Sequence, residues 1–285
     1  MSDAGARIHQ IGAPAVTKEL VASGFGTCAK RRDGWWCWGT LAMDVDGSTV
    51  PTRLPHDDVT AVALGGTHYC ILDSRGHVSC VGRNYDGEFG DGTTSNALHP
   101  RPVVGLSDVV ALAAASFKTC ALVDAREGKR HVYCWGTDEG SGQNGNPARR
   151  SEPFRVGDID DARELALDWG LACVRRSDGS AWCWGNDDYG QLGRGEPPFG
   201  TRRPKPTRAP VRVLYVDDAA GIGAGGFRAC VLSGRGTVGC WGENSYGALG
   251  DGTTRSHAYP SDVVGLTDVA EIGVGGFGHA CARRR

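Results

Sequence analysis

The strongest constraint on the fold is a phrase that the chain repeats. The segment CVLSGRGTVGCWGENSYGALGDGTT at residues 230–254 recurs as CILDSRGHVSCVGRNYDGEFGDGTT at residues 70–94, and shorter versions occur elsewhere. The first cysteines of these segments stand at residues 28, 70, 120, 173, 230 and 281, a spacing of 42 to 57 residues. Self-similarity at such a period indicates a repeat architecture and takes precedence over any local motif.

Composition and local patterning favour strands over helices. Glycine accounts for 44 of the 285 residues, which suits many tight turns, and the apolar runs alternate in the manner of strands. Four short strands in about 40–50 residues are typical of a β-propeller blade. We predict an all-β fold, in which residues 1–285 form a single β-propeller of about six four-stranded antiparallel blades.

The repeat boundaries leave the last blade incomplete. Blades are predicted around residues 17–55, 56–105, 106–157, 158–216 and 217–265. The remaining residues 266–285 provide only two strands, and an open blade would leave an unpaired hydrogen-bonding edge. We therefore predict that residues 5–16, from the other end of the chain, complete the sixth blade and close the ring.

The N-terminal segment resembles a third strand of the repeat. GARIHQIG at residues 5–12 can be aligned with RGTVGCWG at residues 235–242, which places Gln10 at the position of Cys240. This alignment explains why Cys281 is left over when the other ten of the eleven cysteines are paired. The alternative is a chain from which the next repeat is absent.

Paired cysteines frame a hairpin in five repeats. If Cys230 lies opposite Cys240, the turn between them is a three-residue loop ending at Gly236, where the backbone must be left-handed and glycine fits best. Cysteines directly opposite on adjacent strands are close enough for a disulfide. The predicted disulfides are Cys28–Cys37, Cys70–Cys80, Cys120–Cys134, Cys173–Cys183 and Cys230–Cys240. The alternative is that reduced cysteines pack as small core side chains; a metal site is disfavoured because one hairpin offers only two ligands.

Three motifs together carry a resemblance to a known family. His-x-Cys-x-Leu, Val-x-Cys-Trp-Gly and Asn-x-x-Gly-x-x-Gly-Asp-Gly-Thr resemble the repeat of the regulator of chromosome condensation family of propellers, particularly its Cys-paired bacterial members. The resemblance covers nearly the whole chain and implies a propeller, often with seven blades, whereas this chain has material for six. Similar proteins include a guanine-nucleotide exchange factor, a plant light sensor and a secreted inhibitor of β-lactamases, so the resemblance implies no single function.

Familiar catalytic signatures are absent from the sequence. It contains no Gly-x-Ser-x-Gly, no His-Glu-x-x-His and no phosphate-binding loop, and its net charge of −2 does not favour nucleic-acid binding. We predict a non-enzymatic, monomeric scaffold that binds another protein, with no cofactor, no metal, no nucleic acid and no membrane insertion. The alternatives are a lyase or glycan hydrolase with its site at the propeller channel, and a regulator that resembles guanine-nucleotide exchange factors.

Candidate binding residues lie on two kinds of loop. In an up-and-down blade, the loop between the first and second strands and the loop between the third and fourth strands open on the same face. Aromatic and basic side chains on such loops suit partner binding. The candidates are Phe25, His68, Lys118, Phe227 and Arg228 on the first loop, Tyr189 and Tyr246 on the second, and Arg202, Arg203 and Lys205 in a long insertion at 194–212. The alternative is that the aromatic side chains fill gaps between blades and that the insertion is a solvated linker.

The sequence leaves two alternatives for the location of the protein. Paired cysteines favour an oxidising compartment outside the cytoplasm, whereas the residues after Met1 form no apolar signal core. Either a signal has been removed, which the cysteine pairs favour, or Met1 is the native start and the protein stays in the cytoplasm with reduced cysteines.

Overall fold

The chain folds into six antiparallel β-sheets, one for each repeat. The computed structural model describes residues 20–23, 25–41, 47–138, 148–195, 206–276 and 279–285. Among these residues, five sheets have four strands and the sixth has two. Each sheet follows the order of the chain, so every strand is hydrogen-bonded to the strand that precedes or follows it. The prediction of an all-β fold is confirmed.

The strands fall into consecutive blades. Blade 1 contains β1 (Leu20–Ala22), β2 (Gly26–Arg31), β3 (Gly34–Gly39) and β4 (Ser48–Arg53). Blade 2 contains β5 (Val59–Leu64), β6 (His68–Asp73), β7 (Val78–Gly82) and β8 (Ala97–Pro102). Blade 3 contains β9 (Val109–Ala115), β10 (Lys118–Asp124), β11 (Arg130–Asp138) and β12 (Ala148–Arg155), with a 3₁₀ turn at Arg126–Gly128.

The second half of the chain repeats this arrangement. Blade 4 contains β13 (Ala162–Asp168), β14 (Leu171–Arg176), β15 (Ala181–Gly185) and β16 (Thr207–Arg212). Blade 5 contains β17 (Ala219–Gly225), β18 (Arg228–Ser233), β19 (Val238–Gly242) and β20 (His257–Asp262), and blade 6 contains β21 (Val269–Gly275) and β22 (His279–Arg284). A search of the described ranges finds no helix with the length and apolarity needed to cross a membrane.

The first strand of each blade lines one central cavity of about 260 Å³. Consecutive first strands from β1 to β21 contact each other around this cavity. The lining includes one small or aliphatic residue from every blade, namely Val21, Ala63, Leu112, Leu165, Gly223 and Ile272. Six sheets around a common axis form a β-propeller with one blade fewer than the seven that the family resemblance often implies.

The hairpins have the predicted register. Cys230 lies opposite Cys240 and Leu232 opposite Val238, and the turn ends at Gly236, whose φ of 81° is left-handed. The five predicted disulfides are present, each with its two Cα atoms 4.1 Å apart. The cysteine spacing and the turn glycine therefore predicted this part of the structure correctly.

Tryptophans on third strands pack neighbouring blades together. Trp135 and Trp241 are fully buried, and their indole N–H groups donate to the carbonyl oxygens of Glu88 (2.7 Å) and Gln191 (2.9 Å) in the preceding blades. A Cβ atom built on Gly193 would lie 2.9 Å from the Trp241 ring, so the loop of blade 4 can approach blade 5 only with glycine there. The bulk of the core therefore lies between blades.

Blade 6 differs from its neighbours because the structure describes only two of its strands. β22 is largely exposed, whereas the equivalent β18 is buried, and Cys281 on β22 is an exposed free thiol. An apolar groove of about 110 Å³ lies beside this sheet, lined by residues that include Leu249, Ile272 and Ala282. Residues 5–16, which are predicted to complete this blade, lie outside the described residues.

Candidate functional site

Two sets of loops meet on one face of the propeller. In blades 1 to 5, a backbone N–H at or just after the end of the third strand donates to a carbonyl of the loop between the first and second strands. The pairs are Thr40 to Phe25 (2.8 Å), Arg83 to Thr67 (3.0 Å), Thr137 to Phe117 (2.8 Å), Asn186 to Gly170 (2.6 Å) and Glu243 to Phe227 (3.1 Å). We call this face, which the strand topology predicts, the loop face.

The loop face carries three aromatic side chains in contact at the boundary between blades 4 and 5. The ring centroid of Phe227 lies 5.7 Å from that of Trp169 and 5.6 Å from that of Tyr189. Trp169 is 57% exposed and Tyr189 is 40% exposed, whereas Phe227 is half-buried. Tilted rings at these distances attract each other, so the three side chains support one another. We call Trp169, Tyr189 and Phe227 the aromatic cluster.

The backbone of Phe227 is held in an unusual conformation by a carboxylate of the neighbouring blade. Its φ is 63°, which typically costs a non-glycine residue about 1–2 kcal/mol. Its N–H donates to Oδ2 of Asp168 at 3.0 Å, and Asp168 is the last residue of β13, directly before Trp169. Such strain is concentrated at functional positions in proteins. Blade 4 thus positions the aromatic ring that blade 5 supplies.

The two arginines nearest to the cluster in sequence are paired with carboxylates. Nε of Arg194 lies 2.7 Å from Oδ2 of Asp187, and the Arg228 guanidinium contacts the Glu243 carboxylate. Burial raises the pKa of Asp187 despite the opposing hydrogen bonds from Leu192 and Arg194. Burial also disfavours ionised Glu243, but hydrogen bonds from Ser245 and Arg228 outweigh it and keep its pKa below the usual range. Both arginine charges are therefore balanced within the chain.

The asparagine of the repeated loop motif organises the loop itself. Oδ1 of Asn84 accepts a hydrogen bond from the N–H of Phe89 at 2.8 Å, and its Nδ2 donates to the carbonyl of Thr93 at 3.0 Å. Asn244 accepts the same bond from Leu249 at 3.0 Å. Both asparagines are fully buried, so they shape the loops of the loop face and do not offer polar groups to a ligand.

Three of the predicted binding residues are buried, which corrects their placement on the exposed surface. His68, Lys118 and Arg228 are 0%, 5% and 2% exposed. Each is the first residue of a second strand and lies opposite a glycine of the third strand. Their side chains therefore belong to the interior of the propeller and cannot anchor a partner at the loop face.

His68 belongs to a buried polar cluster between blades 2 and 3. Its Nε2 lies 2.9 Å from Oγ1 of Thr119, which also donates to the carbonyl of Glu88 at 3.2 Å. Among the described residues, Nδ1 of His68 and Oε1 of Glu88 have no hydrogen-bond partner. Burial lowers the pKa of His68 to about 4 and raises the pKa of Glu88 to about 7. Both groups therefore couple the stability of this blade boundary to pH.

The remaining candidates are exposed or lie outside the described residues. Phe25 is 65% exposed and Tyr246 is 88% exposed. Tyr246 occupies the repeat position of Tyr189, but the blade 6 loop that it would meet includes residues 277–278, which the structure does not describe. The basic residues of the insertion, Arg202, Arg203 and Lys205, also lie outside the described residues.

Trp169 is the member of the aromatic cluster that the repeat pattern does not reveal. Four other repeats have a small residue at its position, namely Gly24, Gly66, Ser116 and Gly226. Its ring partner Phe227 comes from the next blade, so no local motif connects the two. The available signal was that Trp169 breaks the repeat pattern, because a large aromatic residue replaces a small one in a turn.

The central cavity offers little chemistry. Among the described residues that line it, only Arg163 and Glu164 are charged. Oε2 of Glu164 accepts hydrogen bonds from Nε of Arg175 (3.3 Å) and from the N–H of Ile222 (3.2 Å). Within the same described ranges, no group of three or more His, Cys, Asp or Glu residues could hold a metal ion. The described part of the cavity thus gives no support to an enzyme with its site at the channel.

Comparisons with known proteins agree with the repeat architecture. Models of the regulator of chromosome condensation (RCC1) repeat match residues 59–88, 178–232 and 235–282. The chain is 27% identical over 268 residues to the RCC1 domain-containing protein RUG3, mitochondrial, of Arabidopsis thaliana, a match that covers 87% of this chain and 58% of that protein. It is 28% identical over 268 residues to the E3 ubiquitin-protein ligase HERC2 of Homo sapiens, covering 88% of this chain and 5% of that protein. The chain therefore spans less than two thirds of the length of either relative.

A solved structure has the same fold. Prp20p from Saccharomyces cerevisiae superposes on this chain with a TM-score of 0.78 and 19% sequence identity, and the match covers 91% of this chain and 67% of that chain. Similarity at this level of identity establishes the architecture alone.

Proposed function

Because the chain is a β-propeller built from repeats of the regulator of chromosome condensation type, we propose that it acts by binding another protein through its loop face. The observation that carries this proposal is the aromatic cluster. Trp169 and Tyr189 expose 57% and 40% of their surface, although the ring of each contacts the ring of Phe227. Exposed aromatic residues fixed on a rigid scaffold are the usual anchors of protein interfaces.

The scaffold under the cluster is rigid, which favours tight binding. The second and third strands of blades 4 and 5 are joined by disulfides, and backbone hydrogen bonds tie together the two loops of each blade. Side chains that are already ordered lose little conformational entropy when a partner binds. The aromatic cluster therefore suits binding with little rearrangement.

The basic insertion starts beside the same blade boundary. Its first described part ends at Gly195, whose N–H donates to the carbonyl of Ala258 on β20 at 2.8 Å. Blade 5 thus fixes the start of the segment that carries Arg202, Arg203 and Lys205. Basic residues at the margin of an interface increase the rate at which an acidic partner is encountered, and we assign this role to the insertion.

The similar proteins support protein binding as the class of function and do not identify the partner. Prp20p binds Gsp1p and histones, which are proteins, and a regulator similar to exchange factors would also act through protein binding. The chain spans only 5% of the human ligase HERC2, so ligase activity forms no part of the proposal.

Affinity capture tests the proposal directly. The immobilised, disulfide-bonded protein is incubated with extract from its native source, in parallel with the double variant W169A/F227A and the control Y215A. Tyr215 is 82% exposed and lies in the connection after β16, where its ring contacts Tyr259 and no member of the aromatic cluster. A protein retained by the wild type and by Y215A, and lost with W169A/F227A, supports the proposal. Equal retention by all three overturns it, provided that circular dichroism shows the variants to be folded.

A further inference from the structure

Cations of the chain itself cover several aromatic side chains of the propeller. The guanidinium carbon of Arg83 lies 4.3 Å from the ring centroid of Tyr85, and that of Arg31 lies 4.7 Å from the ring of Trp36. Arg150 stacks on Phe154 at 4.2 Å. Such cation–π contacts gain from the negative potential of the ring face. In this fold, aromatic residues near the surface are commonly paired with a positive charge.

Trp169 departs from this arrangement. It is 57% exposed, its ring contacts Phe227, and in the described part of the chain no arginine or lysine stacks on it. The residue before it is Asp168, one oxygen of which accepts the N–H of Phe227, while the other makes no hydrogen bond within the described ranges. The Trp169 ring and the Asp168 carboxylate thus both contact Phe227, and neither is paired with a cation in the described part of the chain.

The charges around the cluster also favour a cation. Arg194 and Arg228 are paired with Asp187 and Glu243, so neither contributes an unbalanced positive charge. The carboxylate of Asp168 adds to the attraction that a ring face exerts on a cation, because the ring and the carboxylate both interact with the same positive charge.

We propose that the aromatic cluster recognises a cationic side chain, arginine or lysine, presented by the protein partner. The inference rests on the proposed binding function and specifies its central contact. The cation lies over the Trp169 ring, and the free oxygen of Asp168 provides the counter charge. Phe227 positions both groups, through its ring on one side and its backbone N–H on the other.

Short peptides test the contact without knowledge of the partner. The probes are three capped peptides of glycine and serine that carry one central arginine, lysine or citrulline; citrulline has nearly the shape of arginine but no charge. Binding is followed by the NMR signal of the Trp169 indole N–H, which the variant W169F assigns by its disappearance. We expect the arginine and lysine peptides to shift this signal in a saturable way and the citrulline peptide to bind at least about fivefold more weakly.

Two variants distinguish the local effect of the Asp168 carboxylate from the effect of the overall charge of the protein. D168N keeps an oxygen that can accept the N–H of Phe227, and it should weaken binding of the arginine peptide about three- to tenfold. D86N is a control in the loop between the third and fourth strands of blade 2; its carboxylate already contacts Arg149 at 2.7 Å, and the change should leave binding unchanged. Equal weakening by both variants would show that net charge alone matters and would overturn the proposal.

Other outcomes would also overturn the inference. Indole signals that respond equally to citrulline and arginine would exclude recognition of charge. If R202Q/R203Q/K205Q shifts the Trp169 signal in the absence of peptide, the insertion of this chain occupies the cluster and the cation does not come from a partner. If no peptide binds while W169A/F227A still abolishes capture, the binding function stands and the cationic contact is wrong.

Discussion

Asp187 and Arg194 form an ion pair at two repeat positions that hold asparagine and aspartate in blades 2 and 5. In blade 2, Nδ2 of Asn84 donates to Oδ1 of Asp91 at 3.4 Å. In blade 4 the carboxylate stands at the first position and the donor at the second, so the direction of the contact is reversed. The loop keeps its shape because the first side chain still accepts a backbone N–H in both cases.

We expect the protein to tolerate replacement of Asp187 and Arg194 by the asparagine and aspartate of blade 2 only when both are replaced together. D187N removes the carboxylate that Arg194 contacts, and R194D places a second carboxylate beside one that is almost fully buried. Each single change should lower the free energy of unfolding by about 1–3 kcal/mol. The double variant D187N/R194D recreates the arrangement of blade 2 and should recover most of this loss. Urea unfolding measures all four proteins; losses that simply add would contradict the prediction.

The buried cluster of His68 and Glu88 should make stability depend on pH in two opposing ways. The pKa of Glu88 is raised from 4.5 to about 7, so the folded state holds its proton more tightly and stability falls as pH rises through this window. The pKa of His68 is lowered from 6.5 to about 4, so stability falls as pH decreases from 6.5 to 4. A shift of this size corresponds to about 3 kcal/mol for each group.

Single variants should separate the two contributions. E88Q should gain stability relative to the wild type as pH rises from 4.5 to 7, because its amide does not ionise. H68Q should gain relative to the wild type as pH falls from 6.5 to 4. Urea unfolding of both variants at five pH values provides the measurement, with E127Q, which changes an exposed carboxylate, as the control. Parallel pH profiles for wild type, E88Q and H68Q would refute the assignment.

Deletion of residues 1–12 should lower the melting temperature if the N-terminal segment completes blade 6. In the alignment with residues 235–242, Ile11 falls on Trp241, and the groove beside β22 includes Gly250, the counterpart of the Gly193 that packs on Trp241. We expect a fall of about 5 °C or more for the deletion and for I11D. Deletion of residues 1–3 is the control. An unchanged melting temperature after the longer deletion would contradict closure by this segment.

Thiol counting checks the cysteine pairing in solution. Protein made under oxidising conditions should contain the five disulfides of the structure and one free thiol, that of Cys281. Alkylation of the unfolded, unreduced protein followed by intact mass measurement should therefore detect one modification. The variant C281S should show none. Eleven modifications in protein isolated from its native source would show that the cysteines are reduced there.

Association and dissociation rates should respond to different parts of the loop face. Charge reversal at Arg202, Arg203 and Lys205 should slow association with an acidic partner and weaken its dependence on salt, because charges at the margin act mainly on encounter. W169A, F227A and Y246A should speed dissociation by an amount equivalent to about 1–3 kcal/mol each if these rings are buried anchors. Surface plasmon resonance with the captured partner gives both rate constants. Wild-type rates for all these variants would place the interface on another surface.

The hairpins could be predicted from the sequence because their geometry is local. The spacing from Cys230 to Cys240 and the glycine at position 236 together specify the register and the turn, and the structure has both. The contact between Trp169 and Phe227 could not be predicted, since it depends on how two blades pack. The burial of Arg228 could not be predicted from its own loop, because its counter charge, Glu243, comes from the other end of the hairpin.

Each disulfide of this propeller links adjacent strands of a single blade, across 9 to 14 residues of sequence. In the described part of the chain, the contact from one blade to the next is made by packing, hydrogen bonds and ion pairs, with the polypeptide as the single covalent connection. Duplication or loss of one whole repeat would therefore leave the cystines of all the other repeats intact. The oxidised cysteines strengthen the individual units while leaving the size of the ring free to change.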